Sequence, residues 1–457
     1  MHAALPDDLL ESLSRFVEAQ AGLDFPRMRW PDLERALGAV AAEFGCAEVA
    51  ECAQALMSPG ARKEQVESLI EHLTVGETYF FREPKAFETF ETIVLPALIR
   101  AREASEKRLR IWSAGCCTGE EPYSIAIALE RALPHLAEWD ITILATDINS
   151  LFLQKAEAAS YGPWSFRGVS ESVRAQYFRP AGGDRLEVLP RIRNRVTFSC
   201  VNLVEDVYPS LFNNTNAMDV IFCRNVLMYF SAEQAKGAAG KLHRSLVADG
   251  WFFPGGPEAV REMFSGFTPA GFKDVIVYRK SAEPRESHKP HEPHEPHEPH
   301  EPVRRAPPPR RIEPEQRAAP PAAKTEPPLV LADRARSLAH EGRLDEALAA
   351  CDAAIAGDKL APALHYLRGL ILDEQGATAE ATAALRRALY LDPRFIPGHF
   401  ALGNLMRRSA RPRDAARCFE NARALLRGLA PEALLPDADG LTAGRLLAIL
   451  SAIQKLH

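Results

Sequence analysis

Apolar positions follow two different periods along this chain, and the change between them marks its organisation. Over residues 1–75, Leu9, Leu10, Leu13, Phe16 and Val17, and later Val66, Leu69, Ile70 and Leu73, recur at intervals of three and four. That spacing gathers them on one side of an α-helix and predicts a small helical N-terminal domain. From 76 to 280 short runs rich in β-branched and aromatic residues take over: RLRIW (108–112), ITILATD (141–147), VTFSCVNL (196–203), MDVIFC (218–223), GWFFPG (250–255) and KDVIVYRK (273–280). Helical stretches separate these runs, so the fold class expected here is α/β, a mostly parallel sheet with helices on both faces. Between about 161 and 196 the alternation breaks at a Gly-Gly-Asp turn (182–184) flanked by YFRP and RLEVLPRI. A small antiparallel β-subdomain is predicted there.

After Lys280 the pattern disappears. Residues 281–329 are dominated by Pro, Glu, Arg and His, with almost no aliphatic side chains to build a core, and read as a disordered linker. Within it His288, His291, His294, His297 and His300 fall every third residue; a polyproline II helix, with three residues per turn, would line them along one edge. A stiff solvated spacer and a metal-binding edge are both consistent with that, since imidazole suits zinc, nickel and copper. From 330 to 457 helical spacing returns with a period of 34: Gly342 and Gly376, Gly369 and Gly403, Ala347, Ala381 and Ala415, and Ala354, Ala388 and Ala422. Small residues at fixed spacing, with Asp392-Pro393 at a helix end, are the signature of tetratricopeptide repeats. Three units are expected over about 331–430, forming an all-α array with a concave surface for a protein partner. Leu446, Leu447 and Leu450, at helical spacing in the tail, predict a capping helix.

A length of 457 residues accommodates two to four domains. Fifty-five basic against 61 acidic residues, a net charge of −6, give no strong overall field for nucleic acid or anionic membrane. No run of 18 apolar residues and no basic-then-apolar leader occurs, which predicts a cytoplasmic protein without direct membrane insertion. The eight cysteines are scattered without C-x-x-C spacing and read as free thiols in a reducing compartment.

Chemistry enters at SAGCCTGEEPYS (113–124), between the first strand run and a helical stretch, with the next strand ending in ATDIN (145–149). Strand, glycine-containing loop, helix and a strand ending in an acid form a βαβ unit suited to a nucleoside cofactor. Gly115 and Gly119 would let the backbone approach the ligand, and Asp147 would accept from ribose hydroxyls. Two glycines so spaced are not the G-x-G-x-x-G that seats a pyrophosphate. Glu120 and Glu121 would repel a pyrophosphate and suit the cationic ammonium and sulfonium of S-adenosylmethionine; alternatively they merely favour a helix N-terminus. Three further segments add polar groups: HLTVGETYFFREPKAF (72–87) with Thr78 and Arg82, VNLVED (201–206) with Asn202 and Leu203, and MDVIFCRNVLMYFS (218–231) with Arg224, Asn225 and Tyr229. All would gather at the carboxyl edge of one sheet.

With TYFFRE, GEEPYS, ATDIN, VNL and FCRNVLMYF in this order, the chain resembles the chemoreceptor glutamate methyltransferase family, the CheR-type enzymes of bacterial chemosensory pathways, from its N-terminal helices to about Lys280. The resemblance implies a helical domain followed by a Rossmann-like S-adenosylmethionine-binding domain that carries a small β-subdomain. It implies cofactor contacts from Thr78, Arg82, Glu121, Asp147, Asn202, Leu203, Arg224 and Asn225, with Glu120 the less favoured of its pair, and no metal. The implied reaction methylates glutamate carboxylates of methyl-accepting chemotaxis proteins, giving methyl esters and S-adenosylhomocysteine. A glutamate with a pKa of about 4.3 is already ionised at pH 7 and needs no base. Rate must then come from alignment and desolvation. Arg82 and Tyr229 are the expected catalytic positioners, the guanidinium gripping the carboxylate and the phenol donating to it; singly, each also reads as a structural residue, a salt-bridge Arg and a core Tyr.

Three departures from the family pattern stand out. Gly76-Glu77 replaces a more usual Asn-Leu or Pro-Glu, so no contact is carried onto Gly76. Gly255-Gly256-Pro257-Glu258 replaces a Gly-His-Ser-Glu type of sequence and leaves that loop's role open. The short turn RPAGGD (179–184) is similar to that of members independent of a receptor's tether peptide, which leaves localisation to the repeats. Expected partners are the cytoplasmic helical domain of chemoreceptors and an unnamed protein on the repeats. The competing functions are a non-catalytic adaptor that senses S-adenosylmethionine, and a methyltransferase for another protein or a small molecule.

Overall fold

The computed structural model describes residues 5–103, 107–133, 135–259, 263–272, 275–281, 327–409, 411–438 and 441–455; the histidine-rich stretch and its metal-binding reading lie outside them. Helices α1 (Asp7–Ala21), α2 (Trp30–Phe44), α3 (Val49–Leu56) and α4 (Lys63–Leu73) come first. Their apolar stripes, including Leu13 and Val17, Leu37 and Val40, and Leu69, close into one buried core. Helices α5 (Pro84–Thr89) and α6 (Leu95–Arg102) then lead into the sheet.

The α/β unit runs β1 (Arg108–Ala114), α7 (Glu120–Ala132), β2 (Asp140–Asp147), α8 (Ser150–Ala158), then a small insertion of β3 (Ser160–Tyr161), α9 (Glu171–Tyr177), β4 (Phe178–Pro180), β5 (Leu186–Val188) and α10 (Pro190–Arg193). It resumes with β6 (Val196–Cys200), β7 (Met218–Cys223), α11 (Ala232–Ser245), β8 (Leu246–Pro254), β9 (Thr268–Phe272) and β10 (Val275–Arg279). Seven strands form one sheet in the order β6-β2-β1-β7-β8-β10-β9, parallel through β8 and antiparallel at β10 and β9. The insertion is a separate antiparallel sheet, β3-β5-β4. Strands β1 and β7 are buried along their whole length, as parallel strands covered on both faces must be. Ile111, Val220 and Phe222 pack on the α7 side, and Trp112, Ile221 and Phe252 on the α11 side. Strand β9 has no apolar run to announce it. Its Pro269 and Gly271 weaken strands, and they are tolerated because β9 is the sheet's edge.

Beyond residue 327 three antiparallel helix pairs stack: α12 (Pro328–His340) with α13 (Leu344–Gly357), α14 (Pro362–Glu374) with α15 (Thr378–Leu391), and α16 (Ile396–Arg408) with α17 (Pro412–Leu426). Their starts recur at the 34-residue spacing of the sequence repeat. The glycines of that repeat mark helix contacts: a Cβ on Gly369 would lie 2.7 Å from Leu385, and one on Gly403 would lie 2.4 Å from Phe419. A last helix, α18 (Ala443–Lys455), buries Leu446 and Leu450 in the same core.

The helical array is docked against the α/β unit. Leu211 and Phe212, from the loop after β6, enter its core, and Phe212 stacks on Phe400 with ring centroids 4.8 Å apart. Beside them Glu374, at the end of α14, lies 2.8 Å from Arg110 on β1, and its backbone carbonyl accepts from Arg108 at 2.9 Å. Arg110 also donates to Asn214 Oδ1 (2.7 Å) and to the Asn216 carbonyl (3.1 Å). Burial is the leading influence on both members of the pair, lowering the Arg110 pKa and raising that of Glu374. Lys63 on α4 donates to the Gly444 carbonyl at 3.2 Å, a further attachment. The array therefore sits on the amino ends of β1 and β7, away from the edge where a doubly wound sheet binds its ligand.

Candidate active site

The strand order reverses direction between β1 and β7, and a cleft opens at their carboxyl ends. The chain leaves β1 at Gly115, whose φ of 77° is open to glycine at little cost. A Cβ there would come 2.3 Å from Val226. The amides of Gly115 and Cys116 both donate to the Thr146 carbonyl, at 2.7 and 2.9 Å, folding the loop back over β2.

Helix α7 starts directly after this loop, and its first two residues diverge. Glu121 faces the cleft, accepting from Ser113 Oγ at 2.7 Å and Arg224 Nη1 at 3.2 Å. Burial pushes its carboxyl pKa up, against the pull of Arg224 and Ser113. Glu120 turns the other way, is buried, and accepts from the Thr118 and Ser165 hydroxyls at 2.7 and 2.8 Å. It does not line the cleft; its structural position is that of a clasp between the loop and the β-subdomain. Asp147 ends β2 with one carboxylate oxygen on the Cys117 amide (2.8 Å) and the other on the Asn149 amide (2.9 Å). Desolvation raises its pKa to about 6 in spite of those donors. Burial pushes the Cys116 and Cys117 thiols up as well, Cys117 to about 12, so neither supplies a thiolate at neutral pH.

Arg224 directly follows β7 with its side chain 1 % exposed, held by the Arg82 carbonyl (2.7 Å), Glu83 (3.2 Å) and Glu121 (3.2 Å). Asn225 follows at φ 57°, and its Oδ1 is buried with no hydrogen-bond partner. Thr78, Leu203 and Tyr229 also line the cleft. Asn202 lines it too, but its amide is engaged by the Gln20 carbonyl (2.8 Å) and Glu205 (3.2 Å), pinning the end of α1 to the sheet. Arg82 lies between two non-glycine residues at positive φ, Phe81 (57°) and Glu83 (55°), and donates to the Glu77 carbonyl at 2.5 Å. Such backbone strain persists only where surrounding contacts impose it. Here Phe80 and Phe81 donate their amides to the Ser165 carbonyl and Ser124 Oγ, at 3.0 and 2.9 Å.

Arg29, Phe152 and Val226 line the cleft as well, and the sequence patterns did not single them out. A fourth such residue, Glu258, stands behind the wall. Buried after β8, it accepts four backbone amides, from Asn225 (2.8 Å), Val226 (2.6 Å), Met228 (3.0 Å) and Gly255 (2.9 Å). The 255–258 loop, whose role the sequence left open, thus shapes the segment carrying Asn225 and Tyr229. Glu258→Gln replaces one acceptor oxygen by a donor facing amides. With hydrogen bonds to a charged group worth about 1.5–3 kcal/mol each, unfolding free energy is expected to fall by at least about 2 kcal/mol, with a parallel loss of cofactor affinity. Denaturant unfolding that matches the unsubstituted chain would remove this role.

Glu121, Asp147 and the unsatisfied Asn225 oxygen present acceptors to a ligand rich in donors and positive charge. Glu121, in the helix turn where a dinucleotide fold would place its phosphates, opposes a pyrophosphate on electrostatic grounds and fits a sulfonium nucleoside, while Asp147 suits ribose hydroxyls. Fold and site together define an S-adenosylmethionine-dependent methyltransferase. Residues 76–275 match the CheR methyltransferase, SAM binding domain, and the chain belongs to the CheR methyltransferase family. It is 36 % identical over 217 residues to Chemotaxis protein methyltransferase 1 of Pseudomonas aeruginosa, covering 47 % of this chain and 77 % of that one. Against Chemotaxis protein methyltransferase Cher2 of Pseudomonas putida the identity is 35 % over 224 residues, 48 % and 78 % of the two chains. Similarity to the probable biofilm formation methyltransferase WspC of Pseudomonas aeruginosa, 31 % identical, extends over 350 residues, 74 % of this chain and 79 % of that one.

Proposed function

We propose that the protein methylates glutamate side chains of chemoreceptors, and that Arg82 and Tyr229 position the accepting carboxylate. The observation that carries this reading is that both residues line the same cleft as Glu121 and Asp147, together with the chemotaxis names of two of its relatives. S-Adenosylmethionine supplies an activated methyl group on a cationic sulfur. Asp147 holds the cofactor's ribose hydroxyls, and Glu121, balanced by Arg224, faces its cationic end. Arg82 grips the incoming carboxylate through its guanidinium fork while the Tyr229 hydroxyl donates to it. One carboxylate oxygen then forms the new O–C bond as the S–C bond breaks, and the electron pair returns to sulfur, leaving the neutral thioether S-adenosylhomocysteine. No proton moves, which accords with protonated Cys116 and Cys117 thiols in this cleft.

The remaining cofactor contacts proposed are Thr78, Asn202, Leu203, Arg224 and Asn225. Glu120 is not among them, since it does not line the cleft and faces Thr118 and Ser165 instead. No described helix is long and apolar enough to cross a membrane; action from the cytoplasm on the receptor's helical domain is part of the proposal. The WspC similarity, which reaches past the methyltransferase domain, favours an output in biofilm formation over motility. To test the function, the protein is incubated with labelled S-adenosylmethionine and receptor-bearing membranes. Base-labile label on receptor glutamates is expected, whereas label on a small molecule or base-stable label would overturn the reading.

Asp147 makes cofactor affinity depend on pH. Its ionised carboxylate is the stronger acceptor for hydroxyl donors, and burial raises its pKa from the usual aspartate value to about 6. Affinity should be level above that value and decline as pH falls through it, because the proton then competes with the ribose hydroxyls. Asp147→Asn should show weak binding at every pH. Titration calorimetry giving the same affinity across about pH 5–8 would exclude the assigned contact.

A further inference from the structure

A second and larger cleft, of about 1090 Å³, separates the helical array from the α/β unit and is distinct from the methyl-transfer site. Its floor is β6. That strand pairs with β2 on one side only, no described strand covers its other edge, and all five of its residues are half-exposed. Alternate backbone N–H and C=O groups of such an edge point outward and form a template for another extended chain. The opposite wall is the inner face of the array, through residues of α14 and α16.

The polar groups facing this space are incompletely satisfied. Arg195, at the start of β6, and Arg407, on α16, each have a buried Nε with no hydrogen-bond partner. Glu157 on α8 makes no ion pair among the described residues. Burial raises its pKa to about 7, and Arg407 across the cleft opposes that rise. An extended peptide supplies both missing partners: carbonyl oxygens for the arginines, and donors for the glutamate. Around the cleft Glu64, Glu67 and Glu71 on α4, Glu157 on α8, and Asp140, Glu205, Asp373 and Glu374 outweigh Lys63, Arg110, Arg195, Arg407 and Arg408, so the complementary side chains are basic.

We propose that a basic, extended peptide segment of a protein partner adds to the free edge of β6 within this cleft, between the sheet and the helical repeats. Pairing of this kind takes affinity from main-chain hydrogen bonds and specificity from alternate side chains. The array then contributes one wall of a composite site, and partner choice depends on both domains.

The test uses the full chain and three labelled nonapeptides: one alternating lysine with valine, one with glutamate in place of lysine, and one with proline in place of valine. Fluorescence anisotropy should detect the lysine peptide, with at least tenfold weaker binding of the glutamate and proline forms. Glu157→Gln and Arg407→Ala should each weaken the lysine peptide about tenfold and leave methyl transfer unchanged. Independently of any variant, hydrogen exchange at the amides of residues 196–200 should slow when the lysine peptide is bound. Equal binding of the proline peptide, protection confined to other elements, or no binding would overturn the proposal. A dimeric protein that the peptide converts to monomer would assign the edge to a second copy of the chain and overturn it likewise.

Discussion

Glu374→Ala is expected to loosen the helical array from the methyltransferase and to lower unfolding free energy by about 3–5 kcal/mol, the cost of leaving a buried charge without its partner. The Arg110 and Glu374 side chains are only 3 % and 5 % exposed, and their closest atoms are 2.8 Å apart. Yet Glu374 Oε2 has no aligned hydrogen bond, and desolvation is the main influence on the pKa of both groups. The pair therefore adds little net stability and chiefly selects one docking arrangement. Combining Arg110→Met with Glu374→Leu should recover most of what the single change loses, since apolar replacement of both partners removes the desolvation cost. The Phe212–Phe400 stack would remain in the double variant. Urea unfolding checks both statements, followed separately for the array and the sheet because a chain of several domains need not unfold in one step. A single variant as stable as the parent, or a double variant no better than the single, would show that the pair does not govern docking. Methyl transfer to excess substrate should survive in either variant, because the docking surface lies at the far end of the sheet from the cleft.

Arg82→Ala should reduce the methyl-transfer rate about 10²-fold or more, the scale of loss when reacting groups are held but misaligned. Arg82→Lys should fall between the two, since an ammonium keeps the charge but not the planar fork. Cofactor affinity should fall much less than the rate. Arg224 is held through the Arg82 backbone carbonyl, not its side chain, and that contact survives substitution. Steady-state kinetics with calorimetry separate these effects; an unchanged rate, or a rate loss matched by an equal loss of cofactor affinity, would remove Arg82 from carboxylate positioning.

Local pattern reached far in some elements and failed in others for identifiable reasons. Strands β1, β2 and β7 were legible because the covered faces of a parallel sheet make their sequences rich in β-branched and aromatic residues. The repeat register was legible because helices crowd each other at Gly369 and Gly403. Glu120 and Glu121 could not be separated by pattern: a helix turns about 100° between successive residues, and which carboxylate meets the cleft depends on how α7 docks. Glu258 was hidden for a different reason. It acts on backbone amides, which every residue carries and no sequence distinguishes.

By itself the sequence determined the succession of elements and the period of the C-terminal helices, because each depends on spacing between near neighbours. Only the tertiary structure decided that Glu120 turns away, that Arg29 and Glu258 join the site from separate elements, and that the repeats seat on Arg110 through Glu374 and face the open edge of β6. Those outcomes rest on contacts between residues far apart in the chain. Burial, charge pairing and shape decide them once the elements pack, and no local period records them.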